Sequence, residues 1–426
     1  MNNLLVDLGS LSIRESTIVN VDAVNMDEES QVVATGSDER YLTTAEVARR
    51  LGVKTETVYA YASRGMLRSV RLPGRRGSFF AQAEVEAFVA RGREERPPSG
   101  AVERIRTELT LLDGDELHYG GHRVTDLASS YGFESVAELL WTGDLRDGEP
   151  FPVDPAAVGT VGAALAALPD AARTTDRFKV AAAVLGATDP LRFDLSPAAV
   201  VRVGRRLIGV FADALPGDPG DGDSLAHRLA GKLGDRPVDP GLLDLALVLL
   251  ADHDLAVSTV AVRVAASARA HPYAAVSAGL GAVDGQYHGV ASTLAYRFLR
   301  DAAEDPFGAL AERQRTGGVP GFGHRVYRTR DPRADALLTA LRRHAAARDV
   351  MAVVDAVTPG AGTFPNVDLA LAALMHAFGL RPDAGEAIFA LARCAGWLAH
   401  AIEEYREPGL RFRPIGVYTG VRPEPA

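Results

Sequence analysis

The chain has 426 residues, enough for two or three domains around a large core, and its formal net charge of -9 excludes a general polyanion binder, so any nucleic-acid contact must be local. Its one cysteine, Cys394, excludes an intrachain disulfide and points to a reducing compartment. The apolar content is mostly Ala, Leu and Val with few aromatics, which favours close-packed helices over a β-rich architecture.

Residues 1–40 are acidic and show no helical period, so a disordered tail is expected there. Asp7, Glu15, Asp22 and Asp27 stand where a signal peptide would be positive and apolar. The best apolar run, Leu242 to Leu255, is broken by Asp244, Asp252, His253 and Asp254, short of the roughly 20 apolar residues of a membrane span. A cytoplasmic protein without membrane contact is expected.

From Tyr41 the pattern changes. Thr43-Thr44 can cap a helix over Ala45 to Leu51, with Glu46 in its first turn and Gly52 as its stop. Thr55 starts a second helix ending near Arg64, and Val47, Ala48, Leu51, Val53 and Val58 give the pair an apolar face. A hairpin with the basic tip Pro73-Gly74-Arg75-Arg76-Gly77 follows, then a helix over 82–90. Basic residues outnumber acidic ones throughout 41–96, the local positive face that DNA contact requires. The run Tyr41-Leu42-Thr43-Thr44-Ala45-Glu46-Val47-Ala48-Arg49-Arg50-Leu51-Gly52-Val53 with Tyr59-Ala60-Tyr61 resembles the winged helix-turn-helix modules of the MerR and excisionase types. That resemblance makes 41–92 a DNA-binding domain, with Lys54, Thr55, Thr57, Arg64, Arg75 and Arg76 as its contacts.

Residues 93–101, with Pro97-Pro98-Ser99-Gly100, read as a linker. A β-hairpin is expected within Val102 to His118, turning at Asp113-Gly114-Asp115. Helical spacing then covers 124–130, 135–142, 154–168, 171–185, 198–215, 224–233 and 240–251 without alternating strands, which argues against a parallel α/β sheet.

Several short runs carry chemistry. His253 lies between Asp252 and Asp254, which should hold its imidazole basic and suited to grip an anion. Gly279-Leu280-Gly281-Ala282 reads as a turn, and Gly285 and Gly289 flank His288 closely enough to bring a ligand near backbone. Gly321-Phe322-Gly323-His324 leads into Arg325, Arg328, Arg330 and Arg333, an imidazole among guanidinium groups that anions must neutralise. Asp368 falls at the start of a helix over 369–378, Cys394 reads as a small core residue of a helix over 387–403, and Arg393, Arg411 and Arg413 add guanidinium forks suited to dicarboxylates.

In order and wording, His288-Gly289, Pro320 to Arg333, Pro365 to Asp368, Gly396-Trp397-Leu398-Ala399-His400, Arg413-Pro414 and Tyr418-Thr419-Gly420 resemble the citrate synthases and 2-methylcitrate synthases, across about three quarters of the chain. The resemblance implies a mainly α fold: a large helical domain over 102–288 and 386–426 and a small closing domain over 289–385, preceded by the winged helix-turn-helix. It implies condensation of acetyl-CoA, or another short acyl-CoA, with oxaloacetate in a homodimer, with no metal and no cofactor beyond the coenzyme A thioester. By the same resemblance Asp368 is the general base, His288 the enolate partner and His324 the donor to the ketone. His253, Arg333, Arg393 and Arg413 hold oxaloacetate, Arg413 from a second subunit, and Arg328 with Gly321, Phe322 and Gly323 holds coenzyme A. The chain departs from the family pattern at Val290-Ala291-Ser292, where Gly-Ala-Asn is usual, and at Leu369 and Ala370, where aromatics are common. Two other readings stand beside this one: a transcription regulator that uses the pocket as a metabolite sensor, and a 2-methylcitrate synthase using propionyl-CoA.

Overall fold

The computed structural model describes residues 40–51, 53–63, 66–72, 74–75, 77–86, 88, 104–285, 288–413 and 419. These fall into two units divided between Pro97 and Pro98. The acidic stretch 1–39 and the linker 93–101 lie outside the described residues.

In the first unit, β1 (Tyr41–Thr43), α1 (Thr44–Leu51), α2 (Thr55–Ser63), β2 (Ser69–Val70) and β3 (Phe79–Ala81) precede a helical segment at 82–86. Thr43 and Glu46 cap α1 reciprocally: the Thr43 amide donates to Glu46 Oε2 at 2.7 Å and the Glu46 amide to Thr43 Oγ1 at 3.3 Å. The antiparallel sheet has the order β1-β3-β2, with Leu42 opposite Phe80 and Ser69 opposite the same residue. Strand β1 is not expected from the sequence, because its pairing is with residues almost 40 positions away. Val47, Ala48, Val58, Leu67, Phe80 and Val85 form the core.

The second unit opens with an antiparallel meander, β4 (Thr110–Asp113), β5 (Glu116–Tyr119) and β6 (His122–Arg123), where only the hairpin was expected. Helices α3 (Val124–Ser130), α4 (Phe133–Thr142), α5 (Pro155–Leu165), α6 (Thr174–Thr188), α7 (Pro197–Asp213), α8 (Leu225–Ala230) and α9 (Pro240–Leu250) follow at the expected places, with ends shifted by a few residues. Then come α10 (Val257–Ser267), α11 (Pro272–Val283), α12 (Ala291–Glu304), α13 (Pro306–Thr316), α14 (Pro332–Leu341), α15 (Arg348–Val357), α16 (Val367–Phe378) and α17 (Ala384–Arg406). The run Gly279-Leu280-Gly281-Ala282 is no turn. It lies inside α11, where a Cβ on Gly279 would sit 2.8 Å from the Trp397 ring, so glycine serves helix approach there.

Helix α17 is the axis of this unit and packs against α4, α7, α9, α10 and α11. Its alanines at 387, 390, 392, 395, 399 and 401 and Gly396 are buried, and residues this small let five neighbours come close. Cys394 is buried in the same core, as expected. The Gly396 amide donates to the Ala251 carbonyl at 3.0 Å, in the loop that carries His253. A Cβ on Gly396 would lie 2.6 Å from that carbonyl oxygen and run into the Asp252 side chain. Gly396→Ala should therefore destabilise the protein by about 1–3 kcal/mol through overpacking, seen as a lower urea midpoint at unchanged slope. An unchanged midpoint would contradict this account of the crossing.

Candidate active site

Two segments remote in sequence lie side by side at the centre of the site. Phe322 bridges Pro365 in antiparallel fashion, the Gly323 amide donates to the Phe364 carbonyl at 2.8 Å, and the Asn366 amide donates to the Gly321 carbonyl at 2.9 Å. Asn366 Nδ2 adds a bond to the Gly323 carbonyl at 2.8 Å. Gly321 and Gly323 have φ of +85° and +73°, and a Cβ on Gly321 would lie 2.8 Å from Leu369 Cβ. The glycines thus let the His324 loop rest on the start of α16.

His324 turns back on its own loop. Its Nδ1 accepts from the Val326 amide at 3.1 Å and the Tyr327 amide at 3.4 Å, which leaves the proton of the neutral ring on Nε2. Burial, with Arg333 nearby, pulls its pKa down to about 4, so the ring is neutral at physiological pH. His253 and Tyr327 complete a cluster of three rings, with centroids 5.2 Å apart for His253–His324 and 4.8 Å for His324–Tyr327. His253 Nε2 and Tyr327 Oη are 3.0 Å apart, and burial pushes the Tyr327 hydroxyl up to about 12.

His253 is not kept basic by its flanking carboxylates. Burial and then Arg333 and Arg393 hold it well below the ordinary histidine range. Asp252 faces away, accepting from Thr110 Oγ1 at 2.5 Å and lying 3.3 Å from His400 Nε2, and Asp254 has left-handed backbone with φ 52°. Adjacency in sequence said nothing about which way those carboxylates point.

Arg333 lies under the Tyr327 ring, its Cζ 5.3 Å from the centroid. Its Nε and Nη2 bind the two oxygens of Asp331 at 3.0 and 2.8 Å, and Asp331 also accepts from the Val367 amide at 3.0 Å. The fork expected to be free for a substrate therefore has two of its nitrogens occupied by a buried carboxylate.

His288 occupies the other side. Its Nε2 lies 2.7 Å from Ser258 Oγ, which also accepts from Trp397 Nε1 at 3.3 Å. Among the described residues His288 Nε2 is the one acceptor within reach of the Ser258 hydroxyl, so the hydroxyl donates to it and the neutral ring carries its own proton on Nδ1. Burial, then Arg393, lowers the His288 pKa to about 4. His288 and Arg393 both face Phe389, at 5.4 Å between rings and 4.5 Å from Cζ to the ring. Arg393 is buried, donates from Nε to the Leu250 carbonyl at 2.8 Å, and has no partner for its buried Nη2. An unpaired guanidinium nitrogen at that depth is a seat for an anion.

Asp368 is not the N-cap of α16. Asn366 takes that place, accepting from the Asp368 and Leu369 amides at 3.0 and 3.3 Å. Asp368 is half-buried in the first turn, and among the described residues its carboxyl has no hydrogen-bond partner. Burial raises its pKa to about 6, against the opposing pull of Arg333. It stands at the end of a cleft of about 420 Å³, walled by Ala291, Leu294, Val319, Phe322 and Asn366. Arg333 acts on Asp368, His324 and His253, and Arg393 acts on His253 and His288, so all of these groups share one site.

The remaining candidates lie elsewhere. Arg328 is exposed with its guanidinium outside the cluster. Arg411 pairs with Glu404 at 2.6 Å, whereas Arg413 is exposed and has no hydrogen-bond partner among the described residues. In the first unit Lys54, Thr55 and Arg75 are exposed and Thr57 is half-buried; Arg64 and Arg76 lie outside the described residues. Ser258, Tyr327 and Asp331 escaped the sequence reading. Asp331 alone had a signal, an Asp-Pro pair ahead of a helix.

The family described as "Citrate synthase, C-terminal domain" matches residues 100–415, and the one described as "Helix-turn-helix domain" matches 41–93. A citrate synthase of Haloferax volcanii is 31% identical over 74% of this chain and 93% of its own length. The 2-methylcitrate synthase 2 of Corynebacterium glutamicum is 28% identical over 75% and 91%. Among solved structures, the citrate synthase of Thermotoga maritima superposes with a TM-score of 0.63 at 26% identity, covering 78% of this chain and 97% of its own. That of Thermoplasma acidophilum, a ternary complex with carboxymethyl coenzyme A and oxaloacetate, gives 0.66 at 24% identity over 76% and 96%. With a family match over most of its length and the helical fold to go with it, this chain belongs to the citrate synthase family.

Proposed function

We propose that the site condenses acetyl-CoA with oxaloacetate to citrate and coenzyme A, and that Asp368, His288 and His324 carry the chemistry. The observation that supports this most directly is a carboxyl poised near neutrality that shares the influence of Arg333 with His324, beside a second neutral imidazole, His288, under the influence of Arg393.

Asp368 takes a proton from the acetyl methyl group. A thioester α-proton is weakly acidic, so the step needs a donor at the carbonyl oxygen, and His288 Nδ1–H supplies it. The enol carbon then attacks the ketone carbon of oxaloacetate while His324 Nε2–H delivers its proton to the ketone oxygen. Water cleaves the thioester of the resulting citryl group and makes the sequence favourable. Arg393, with its open Nη2, and the remaining nitrogen of Arg333 hold the carboxylates of oxaloacetate beside His253. The cleft running from Asp368 past Gly321 and Phe322 receives the thioester arm, with Gly323 on the same loop, and Arg328 reaches the phosphates.

The division into a large domain of 102–288 and 386–426 and a small domain of 289–385 belongs to the same proposal, as does a homodimer. Val257 and Val264 expose an apolar stripe on α10, which a second copy would cover, and Arg413 would enter the partner's site. The exposed Lys54, Thr55 and Arg75, with Thr57, Arg64 and Arg76, would place the first unit on DNA in a cytoplasmic protein. The relatives named as 2-methylcitrate synthases keep propionyl-CoA as a second acyl donor to be tested.

Release of free coenzyme A thiol from acetyl-CoA and from propionyl-CoA, each with oxaloacetate, tests the reaction and ranks the acyl groups. Asp368→Asn should lower kcat by about 10²- to 10⁴-fold. No thiol release from the unaltered protein with either thioester, together with intact ligand binding, would favour a metabolite sensor.

The pH profile follows from the same groups. Both histidines lose their charge near pH 4, so of these three groups Asp368 is the one that changes state near pH 6. The base works without its proton, so kcat/KM should rise with pH through about 6 and then level off. An acid limb that persisted unchanged in the residual activity of Asp368→Asn would remove Asp368 from the role.

DNA binding by the first unit should weaken with salt, and changing Arg75 and Arg76 to Ala should reduce the slope of log affinity against log salt by about 2. Affinity indifferent to both would end that part of the proposal.

A further inference from the structure

The tip of the β4–β5 hairpin touches the His324 loop from more than two hundred residues away. Asp115 Oδ1 accepts from the Arg328 amide at 2.6 Å, and Oδ2 accepts from the Thr329 amide at 2.9 Å and from the Thr329 hydroxyl. Next to it, Glu116 pairs with Arg330 and, at 3.5 Å, with Arg123, while Arg330 also reaches Asp335 at 3.1 Å. Three donors on one carboxylate pull its pKa down to about 2, led by the Thr329 hydroxyl and the Arg328 amide, so Asp115 stays ionised at any physiological pH.

The grip falls where the loop is otherwise untied. Upstream, the His324 ring fixes the turn to Tyr327; downstream, Asp331 fixes the start of α14. Residues 328–330 lie between, and their hydrogen bonds to other segments go to the hairpin and to Asp335. A small displacement there would move Tyr327 and, through it, the ring cluster of His253 and His324.

We infer that Asp115 is a positioning residue, which clamps the loop carrying His324 and Tyr327 to the hairpin and so sets where the donor to the ketone stands. This rests on the proposed reaction for its effect on rate. The clamp also crosses the proposed boundary between the 102–288 and 289–385 segments, so it would tie the loop to the larger part when the site closes. The catalytic groups are unchanged by its loss; what changes is their placement, and a misplacement of about 1 Å costs roughly a hundredfold in rate.

The test uses the full chain with Asp115→Asn, Thr329→Val and the double variant. Asp115→Asn should lower kcat/KM for oxaloacetate by roughly ten- to a hundredfold and raise the KM for acetyl-CoA by a smaller factor through the freed Arg328, with the thermal midpoint nearly unchanged. If Asp115 acts through Thr329, the double variant should lose less than the product of the two single losses. Independently of any activity, hydrogen exchange at the Arg328 and Thr329 amides should speed up at least tenfold in Asp115→Asn. Unaltered exchange there, or losses that multiply cleanly, overturns the clamp. Were the unaltered protein to release no thiol, the proposed reaction would fall while the exchange measurement still decided the clamp. Asp115→Glu should restore part of the protection, which a general loss of stability would not allow.

Discussion

The buried carboxylate of Asp331 is the interaction on which the site depends. It caps α14 through the Arg333 amide at 3.0 Å, binds the Arg333 fork and accepts from the Val367 amide at the start of α16. Burial opposes its charge, and Arg333 overcomes that, holding the carboxyl below its ordinary range. One anion thus fixes the end of the His324 loop, the Arg333 guanidinium and the helix that carries Asp368. Removing either partner of such a pair leaves the other charged and unpaired in the interior, which is the strongly destabilising case.

Beneath the site a second polar chain runs through the core. Thr110 and His400 meet Asp252, Arg263 donates to His400 Nδ1, and Arg263 and Arg411 share Glu404. His400 must carry its proton on Nε2 to satisfy both neighbours, so the network admits one arrangement. It ties the loop of His253 to the end of α17 and the segment leading to Arg413. The candidate groups are left with open donors or an unpartnered carboxyl, whereas the residues behind them are hydrogen-bonded, apart from one buried oxygen of Asp252.

Much of this was legible in one dimension. The helical periodicity of α3 to α9 and of α16 and α17 appeared because each helix hides one face or all faces in the core. Gly321 and Gly323 were legible because close backbone approach demands glycine, and His324, His288 and Asp368 stood out as titratable groups beside such approaches or at a helix start. Strand β1 was not, since its partner lies far along the chain, and Gly279 was mistaken for a turn because a glycine for a bend and a glycine for close helix packing look alike. Asp331 and Ser258 were silent because a carboxylate or hydroxyl acquires its role only from the neighbours that folding brings to it.

The sequence by itself determined the helical class, the module boundary near Pro97 and the set of groups available for chemistry, because periodicity and residue type are local properties. The tertiary structure decided charge and direction: that His253 is neutral between two acids, that His288 and His324 carry their protons on opposite ring nitrogens, and that Arg333 is half engaged while Arg393 has an open nitrogen. Protonation and free valence depend on burial and on partners arriving from distant segments, and no linear spacing records those.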